Sequence, residues 1–352
     1  MLGLLAALAA QAAAPPPSKW PTREGDVVLK HFRFRDGESL PEVRMHSTTL
    51  GSPHRNPGGE IDNAVMVLHG TGGSGWQFMR AQFADELYGP GQPLDIRKYW
   101  IILPDNIGHG KSSKPSDGLR MKFPRYDYDD MVAAQHAMLE TLGVKQLRLI
   151  FGTSMGCMMS FVWGETYPDF ASALMPLACE PIEIAGLNRM WRQLVIDGIR
   201  KDPAWQSGNY SKEPEQGLRT AESILFIAGG APLYLQKQYP TRQAAAAFVE
   251  QTVERALPSL DANDMIYQFD SSRNYNPWPN LEKITAPTTW VNSADDFINP
   301  RNLDVPQRAV KRMKNARFRL IPESNDTHGH GTHTWAKFWK ADLSALLART
   351  AK

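Results

Sequence analysis

One serine stands in a motif that activates a hydroxyl group for attack on carbonyl carbon. Residues 152–156 read GTSMG, the pattern G-x-S-x-G, and an apolar run at 147–151 precedes them. In a strand-to-helix turn of this kind the serine backbone is strained, so only small residues fit two positions before and after it. The following helix directs its N-terminal N–H groups at developing negative charge. Ser154 is therefore the predicted nucleophile of an acyl-transfer reaction.

A serine hydroxyl needs a general base, and three of the nine histidines lie together near the C-terminus. They are His328, His330 and His333, in 327–333 (THGHGTH). We prefer His330, because the glycines beside it let the loop bring the imidazole close to Ser154; His328 and His333 remain alternatives. The same spacing could hold a metal ion, but no acid or cysteine cluster completes a coordination shell, so no metal is predicted.

The carboxylate that orients the base is expected after the penultimate predicted strand. Residues 292–300 (NSADDFINP) offer two adjacent candidates there, Asp295 and Asp296. Such a carboxylate holds the imidazole in the useful tautomer and stabilises its charged form. We prefer Asp295 and keep Asp296 as the alternate acid. The chain order serine, acid, histidine matches one known arrangement of such triads.

The oxyanion of the tetrahedral intermediate needs two backbone N–H donors. One is predicted to be Met155, the residue after the nucleophile, and the other Thr71 in 69–73 (HGTGG). This glycine run lacks the G-K-[ST] ending of a phosphate loop, which argues against a nucleotide site. His69 in this run and His109 in 106–113 (NIGHGKSS) are interpreted as structural hydrogen-bonding residues rather than catalysts.

Short apolar runs followed by glycine-rich turns recur along the chain. The predicted strands lie at 64–68, 100–103, 147–151, 174–178, 288–291 and 318–321, with a helix predicted at 129–142 and a final one at 334–347. Nearly continuous apolar strands indicate a sheet covered on both faces, and their alternation with helices indicates a mostly parallel, doubly wound α/β sheet. Residues 18–180 and 286–352 are the predicted core. Residues 181–285 are helix-prone, at 186–200, 217–228 and 242–256, and are interpreted as a lid.

Composition and charge exclude several classes of protein. The 352 residues are 42% hydrophobic and 22% charged, which suits a folded chain with a sizeable core. The 39 basic and 37 acidic residues give a formal net charge of +2, so neither a nucleic-acid nor an anionic-membrane surface is expected. The two cysteines, Cys157 and Cys179, are expected to be buried free thiols, with a bridge between them as the alternative.

The first residues are typical of an export signal. Residues 1–17 are rich in leucine and alanine and end in three prolines, and their apolar run is shorter than the roughly 20 residues that span a bilayer. We interpret 1–17 as a signal peptide, although no Lys or Arg follows Met1. The predicted location is periplasmic or secreted, and cytoplasmic if the segment is not a signal.

Several motifs together resemble the homoserine O-acetyltransferase branch of the α/β-hydrolases, over roughly residues 60 to 345. They are 123–124 (FP), 130–132 (DMV) with Gln135, 142–144 (LGV), 152–156, 167–169 (YPD), 202–205 (DPAW), 208–210 (GNY) and Gly329-His330. The resemblance implies the α/β-hydrolase fold, a Ser-His-Asp triad, a helical lid and a homodimer formed through the lid. It also implies that Arg192 binds a carboxylate of the substrate.

The chain departs from that branch directly after the nucleophile. Family transferases usually have S-x-G-G-M-Q, whereas 154–159 read SMGCMM. An exported enzyme would also meet water but no acetyl-CoA. We therefore predict a serine esterase that hydrolyses small-molecule carboxylic esters, with amides or lactones as further substrates and no cofactor. The alternatives are an acetyl-CoA-dependent acyltransferase and a non-catalytic ligand-binding protein on a hydrolase scaffold.

Overall fold

An eight-stranded sheet forms the centre of the computed structural model, which describes residues 19–351. In space the strands follow the order β1-β2-β4-β3-β5-β6-β7-β8. The first two strands are antiparallel to each other and the second is antiparallel to the fourth, while the other neighbouring strands are parallel. The predicted mostly parallel sheet is confirmed. The strands are β1 (Arg23–Arg33), β2 (Ser39–Leu50), β3 (Ala64–Leu68), β4 (Trp100–Pro104), β5 (Leu149–Thr153), β6 (Leu174–Leu177), β7 (Thr288–Ser293) and β8 (Ala316–Ile321).

The α-helices follow strands β3 to β8, and five of them lie together between β6 and β7. They are α1 (Ala81–Leu87), α2 (Tyr128–Thr141), α3 (Met155–Thr166), α4 (Gly186–Arg200), α5 (Glu215–Ala228), α6 (Pro232–Gln238), α7 (Arg242–Ala256), α8 (Ala262–Asp270), α9 (Val305–Ala309) and α10 (Lys340–Arg349). The predicted final helix at 334–347 begins later, at Lys340, because 3₁₀ turns occupy 329–334 and 336–338.

The apolar strands pack against both helix layers. Successive residues of a strand point to opposite faces. Accordingly, Met66 and Ile150 pack with α2 and α3, whereas Val65 and Phe151 pack with α1 and α10. Both faces of the central strands are therefore apolar, which explains why these strands read as continuous apolar runs.

The sequence motifs did not indicate β1 and β2. Most residues of β1 are exposed and β2 is buried mainly in its second half. These two strands form the antiparallel edge of the sheet, so they lack the continuous apolar run and the following helix of a parallel strand.

Five helices, α4 to α8, lie between β6 and β7 and form a helical insertion, residues 186–270. The insertion has its own apolar core, which includes Trp191, Val195, Leu218 and Ile266. It contacts the loops at the carboxyl ends of the strands, where Ser116 Oγ donates to Asp264 Oδ2 at 2.6 Å and Gln268 Nε2 to Gly108 O at 2.9 Å. The insertion thus lies over the edge of the sheet at which Ser154 is placed.

The two cysteines form a disulfide, so the expectation of free thiols was wrong. Cys157 in the first turn of α3 is bonded to Cys179, two residues after β6, and both are fully buried. Because β5 and β6 are neighbours, the start of α3 and the end of β6 lie side by side, which the sequence separation of 22 residues does not reveal.

Among the described residues, no helix is both long and apolar enough to cross a bilayer. The predicted signal peptide, residues 1–17, lies outside the described residues.

Candidate active site

Ser154 lies in a sharp turn between β5 and α3. Its backbone has φ 54° and ψ −113°, a conformation that residues with a Cβ rarely adopt. The flanking glycines are required by close backbone approaches. A Cβ on Gly152 would lie 2.0 Å from Gly156 O, and one on Gly156 would lie 2.0 Å from Leu68 O. The G-x-S-x-G spacing thus allows α3 to start directly beside β3.

His330 bridges Ser154 and Asp296 by two hydrogen bonds. Its Nε2 is 2.8 Å from Ser154 Oγ, and its Nδ1 is 2.8 Å from Asp296 Oδ2. Because a carboxylate only accepts, Nδ1 carries the proton and Nε2 accepts from the serine hydroxyl. All three side chains are buried, with Ser154 7%, His330 2% and Asp296 3% exposed. The arrangement can deprotonate a serine as it attacks.

The acid at His330 is Asp296, so the preference for Asp295 was wrong. Asp295 Oδ2 instead accepts from the Gly329 N–H at 2.9 Å, and Asp295 Oδ1 accepts from Ser293 Oγ. Both aspartates therefore face the histidine loop, one at the imidazole and the other at the backbone one residue earlier. The tight turn after β7, where Asp296 N–H donates to Ser293 O, sends the two side chains to these different partners.

Several donors hold Asp296 in its ionised form. Burial would raise the pKa of this carboxyl, but the charge interaction with His330 and hydrogen bonds from His330, Asn299 and the Ile298 N–H outweigh it. The pKa of Asp296 consequently lies below its ordinary value. An ionised, desolvated carboxylate is what stabilises an imidazolium in the transition state.

The other two histidines of the cluster do not reach Ser154. The His328 ring lies 4.4 Å from the Tyr234 ring and 4.5 Å from the Trp335 ring, and burial lowers its pKa to about 4. His333 Nδ1 contacts the His330 carbonyl, and burial lowers the pKa of His333 to about 3. Both are neutral packing residues. Within residues 19–351, no three His, Cys, Asp or Glu side chains are grouped to hold a metal ion.

The two predicted oxyanion donors lie beside Ser154. Met155 is the first residue of α3, where N–H groups have no intrahelical acceptor. The loop 69–73 passes so close that a Cβ on Gly70 would be 3.3 Å from Ser154 Cβ and 3.8 Å from its Oγ. Within the described part of the chain, the Thr71 N–H hydrogen-bonds to no other residue. Both N–H groups are therefore available to an oxyanion.

Arg192 on α4 is buried, being 2% exposed, without a carboxylate partner among residues 19–351. It donates to Asn188 Oδ1 at 2.9 Å and Ser272 Oγ at 3.3 Å, and its guanidinium lies 4.6 Å from the centre of the Trp191 ring. Burial lowers the pKa of Arg192, and the nearby Tyr128 opposes that shift.

Tyr128 lies close to Arg192 and to Thr71 of the oxyanion loop. Burial raises the pKa of Tyr128, while its interactions with Arg192, Thr71 and Ser272 lower it. The Tyr128 and Thr71 hydroxyls are both buried, yet within residues 19–351 neither has a hydrogen-bond partner of good geometry. Buried hydroxyls normally have partners. Arg192, Tyr128 and Thr71 thus form a buried polar cluster in which the two hydroxyls have no hydrogen-bond partner among the described residues.

A family match in sequence agrees with the geometry of Ser154, His330 and Asp296. The model of the alpha/beta hydrolase fold family matches residues 63–347. The chain belongs to this family. Within it, the chain resembles the homoserine O-acetyltransferase branch, as its motifs predicted.

Curated relatives and solved structures agree with that placement. A probable acyltransferase of Methanothermobacter thermautotrophicus is 28% identical over 78% of this chain and 83% of its own. The homoserine O-acetyltransferase of Chloroherpeton thalassium is 27% identical over 84% of this chain and 81% of its own. In structure, the chain is similar to the homoserine O-acetyltransferase of Bacillus anthracis, with a TM-score of 0.79 and 21% identity. It is similar to the acetyl esterase MekB with a TM-score of 0.79 and 24% identity. Each likeness covers 93% of this chain and 97% of the other. Transferases and esterases thus share this fold.

Sequence reasoning missed Tyr128, and it kept the disulfide and Asp296 only as the alternatives to free thiols and Asp295. Tyr128 is the first residue of α2, where nothing in the sequence distinguishes it from an ordinary helix start. One signal in the sequence pointed to Asp296 as the acid. Asn299 lies three residues later, and its side-chain amide donates to Asp296 Oδ2 at 2.8 Å.

Proposed function

We propose that this protein is a carboxylic ester hydrolase that acts through an acyl-enzyme on Ser154. The observation that carries the proposal is the continuous buried contact from Ser154 Oγ through His330 to Asp296, with 2.8 Å at each step. The family match supports acyl chemistry at this serine.

The residues supply each step of the reaction. Ser154 Oγ attacks the ester carbonyl while His330 Nε2 takes its proton, and the Thr71 and Met155 N–H groups hold the oxyanion. The intermediate collapses, and His330 returns the proton to the departing alkoxide. Water then attacks the acyl-enzyme with His330 again as base, which releases the carboxylic acid and restores Ser154. Asp296 keeps the Nδ1 proton in place throughout.

One feature supports water as the acceptor. The residues after the nucleophile, 154–159 (SMGCMM), depart from the transferase pattern S-x-G-G-M-Q. The fold likeness does not discriminate, because an acetyl esterase and a homoserine O-acetyltransferase both match over 93% of this chain. We also propose export. The apolar residues 1–17 and the Cys157–Cys179 disulfide support it, because disulfides persist mainly in oxidising compartments.

A second candidate, transfer of an acyl group from acetyl-CoA to a hydroxyl, is supported by the likeness to a homoserine O-acetyltransferase that is 27% identical over 84% of this chain. Arg192 bears on the substrate of either reaction: it is buried with only neutral acceptors, Asn188 and Ser272, and a substrate carboxylate bound to it would offset the unfavourable burial of its charge. An ester substrate that carries a carboxylate would make the same contact. Arg192 therefore favours an anionic substrate under either reaction.

The experiment is a screen of p-nitrophenyl esters of increasing acyl length, with Ser154→Ala as the matched control. We expect turnover in the wild type, loss by several orders of magnitude in Ser154→Ala, and labelling of Ser154 by a fluorophosphonate probe. Incubation with acetyl-CoA and homoserine, followed by mass spectrometry, tests the second candidate. Rapid O-acetylhomoserine formation would reject hydrolysis as the main activity, and no labelling of folded protein would favour a non-catalytic binder.

We further propose that the protein forms a homodimer through the helical insertion, as its family resemblance implies. Leu187, Met190 and Leu194 on α4 support this, because they lie on one face and are 53%, 61% and 56% exposed. Light scattering should give twice the monomer mass, and Leu194→Asp should halve it. A wild-type monomer at micromolar concentration would contradict the proposal.

A further inference from the structure

A chain of buried hydrogen bonds runs from α3 to the loop 69–73 and has no role in the mechanism above. Trp163 Nε1 donates to Gln135 Oε1 at 2.6 Å, and Gln135 Nε2 donates to Asn106 Oδ1. The Asn106 backbone N–H and side-chain Nδ2 then approach His69 Nε2 at 3.1 and 2.9 Å. Finally, His69 Nδ1 lies 2.8 Å from Gly70 O. The four side chains are at most 1% exposed.

The order of donors in this chain leaves one consistent assignment. An indole Nε1–H only donates, so Gln135 must present its oxygen to Trp163 and its amide nitrogen to Asn106. Asn106 then presents oxygen to Gln135 and nitrogen to His69. His69 Nε2 accepts from Asn106, and its proton lies on Nδ1, facing Gly70 O. Burial lowers the pKa of His69, which keeps the ring in this singly protonated form.

The last hydrogen bond acts on the peptide that carries the oxyanion donor. Gly70 C=O and Thr71 N–H belong to one planar trans peptide, so they point in opposite directions. Gly70 O is held from the side away from the reaction by two donors, His69 Nδ1–H and the Gly73 N–H at 3.0 Å. Gly70 itself lies against Ser154, and the Thr71 N–H hydrogen-bonds to no residue from 19 to 351. Fixing the carbonyl therefore aims this N–H.

We propose that His69 is a positioning residue that aims the Thr71 N–H at the oxyanion, and that Trp163, Gln135 and Asn106 set its tautomer. This inference rests on the proposed function, in which Ser154 is the nucleophile. This role of His69 differs from that of a residue that only satisfies buried polar groups. A merely structural role would change the stability of the fold, whereas a positioning role changes stabilisation of the transition state in protein that is fully folded.

A matched pair of variants separates these roles. His69→Phe keeps the ring without its nitrogens, whereas His69→Asn places an amide nitrogen near the position of Nδ1 and keeps the donor to Gly70 O. We expect His69→Phe to lower kcat about 10²-fold, near the loss of one oxyanion donor, with KM changed by less than about threefold. His69→Asn should recover most of that kcat. Affinity for a boronic acid, which forms a tetrahedral adduct on Ser154, should fall in parallel with kcat.

The inference would be overturned if folded His69→Phe had a kcat within about threefold of wild type. It would also be overturned if the variant changed only KM. Should His69→Phe fail to fold, ¹⁵N-histidine NMR of the wild type decides instead: an Nδ1–H tautomer is expected for His69, and an Nε2–H tautomer overturns the relay. Ser154→Ala and fluorophosphonate labelling run alongside. A labelled, active wild type with an unaffected His69→Phe rejects the relay alone, whereas an unlabelled, inactive wild type rejects the proposed function.

Discussion

Replacing Asp296 by asparagine should nearly abolish turnover, whereas the same change at Asp295 should not. Asp296 accepts the Nδ1–H of His330 at 2.8 Å in a site where both side chains are at most 3% exposed. The Asp296→Asn change would remove the negative charge, and the new amide could donate to Nδ1, which favours the tautomer that has no free Nε2 for the serine proton.

The magnitude follows from the charge interaction. Opposite unit charges about 4 Å apart attract by about 4 kcal/mol at an effective dielectric constant of about 20. This term stabilises the imidazolium of the transition state and is lost in Asp296→Asn. At about 1.4 kcal/mol per tenfold change in rate, it corresponds to a loss of about 10³-fold in kcat. The wrong tautomer adds to it, so we expect a loss between about 10³- and 10⁴-fold.

The assay is steady-state hydrolysis of the best p-nitrophenyl ester, with the folded fraction of each variant measured by circular dichroism. Asp295→Asn is the matched control, because an amide oxygen can still accept from the Gly329 N–H. It should lose less than about tenfold. An equal loss in both variants, or more than a tenth of wild-type kcat in folded Asp296→Asn, would refute the assignment of the acid.

Three further outcomes follow from the structure. Replacing both Cys157 and Cys179 by Ala should lower the free energy of unfolding by about 3 kcal/mol in urea, since the bond joins residues 22 positions apart; a loss below about 1 kcal/mol would contradict this. Arg192→Met should raise KM at least about tenfold for esters that carry a carboxylate and little for neutral esters, and equal effects on both would argue against a carboxylate site. Burial raises the pKa of Glu222 from 4.5 to about 7, so its contribution to stability is present below pH 4.5 and is lost as the pH rises to 7. Relative to wild type, Glu222→Gln should therefore gain up to about 3 kcal/mol between these pH values, and a pH-independent difference would show that Glu222 is not buried as a neutral acid.

Local patterns were enough to predict the nucleophile turn and the central strands. The glycines at 152 and 156 are required because the backbone at Gly156 and Leu68 leaves no room for a Cβ, so the motif itself carries the geometry. The strands β3 to β6 are mostly continuous apolar runs because both of their faces are covered. The edge strands β1 and β2 were missed because an exposed antiparallel edge has no such run.

Partners distant in sequence could not be chosen in this way. Asp295 and Asp296 have the same chemistry and are adjacent, and the tight turn after β7 decides which carboxylate meets His330 and which meets the Gly329 N–H. The disulfide depends likewise on β5 and β6 being neighbours in the sheet.

By itself, then, the sequence determined the α/β sheet, the strained serine turn and a histidine loop after the last strand, because each of these follows from short-range sterics and the period of apolar residues. Tertiary structure alone decided the acid, the disulfide, the burial of Arg192 without a carboxylate and the hydrogen-bond chain from Trp163 to Gly70. Each depends on which helices and loops the fold brings together, and that depends on strand order and helix packing rather than on distance along the chain.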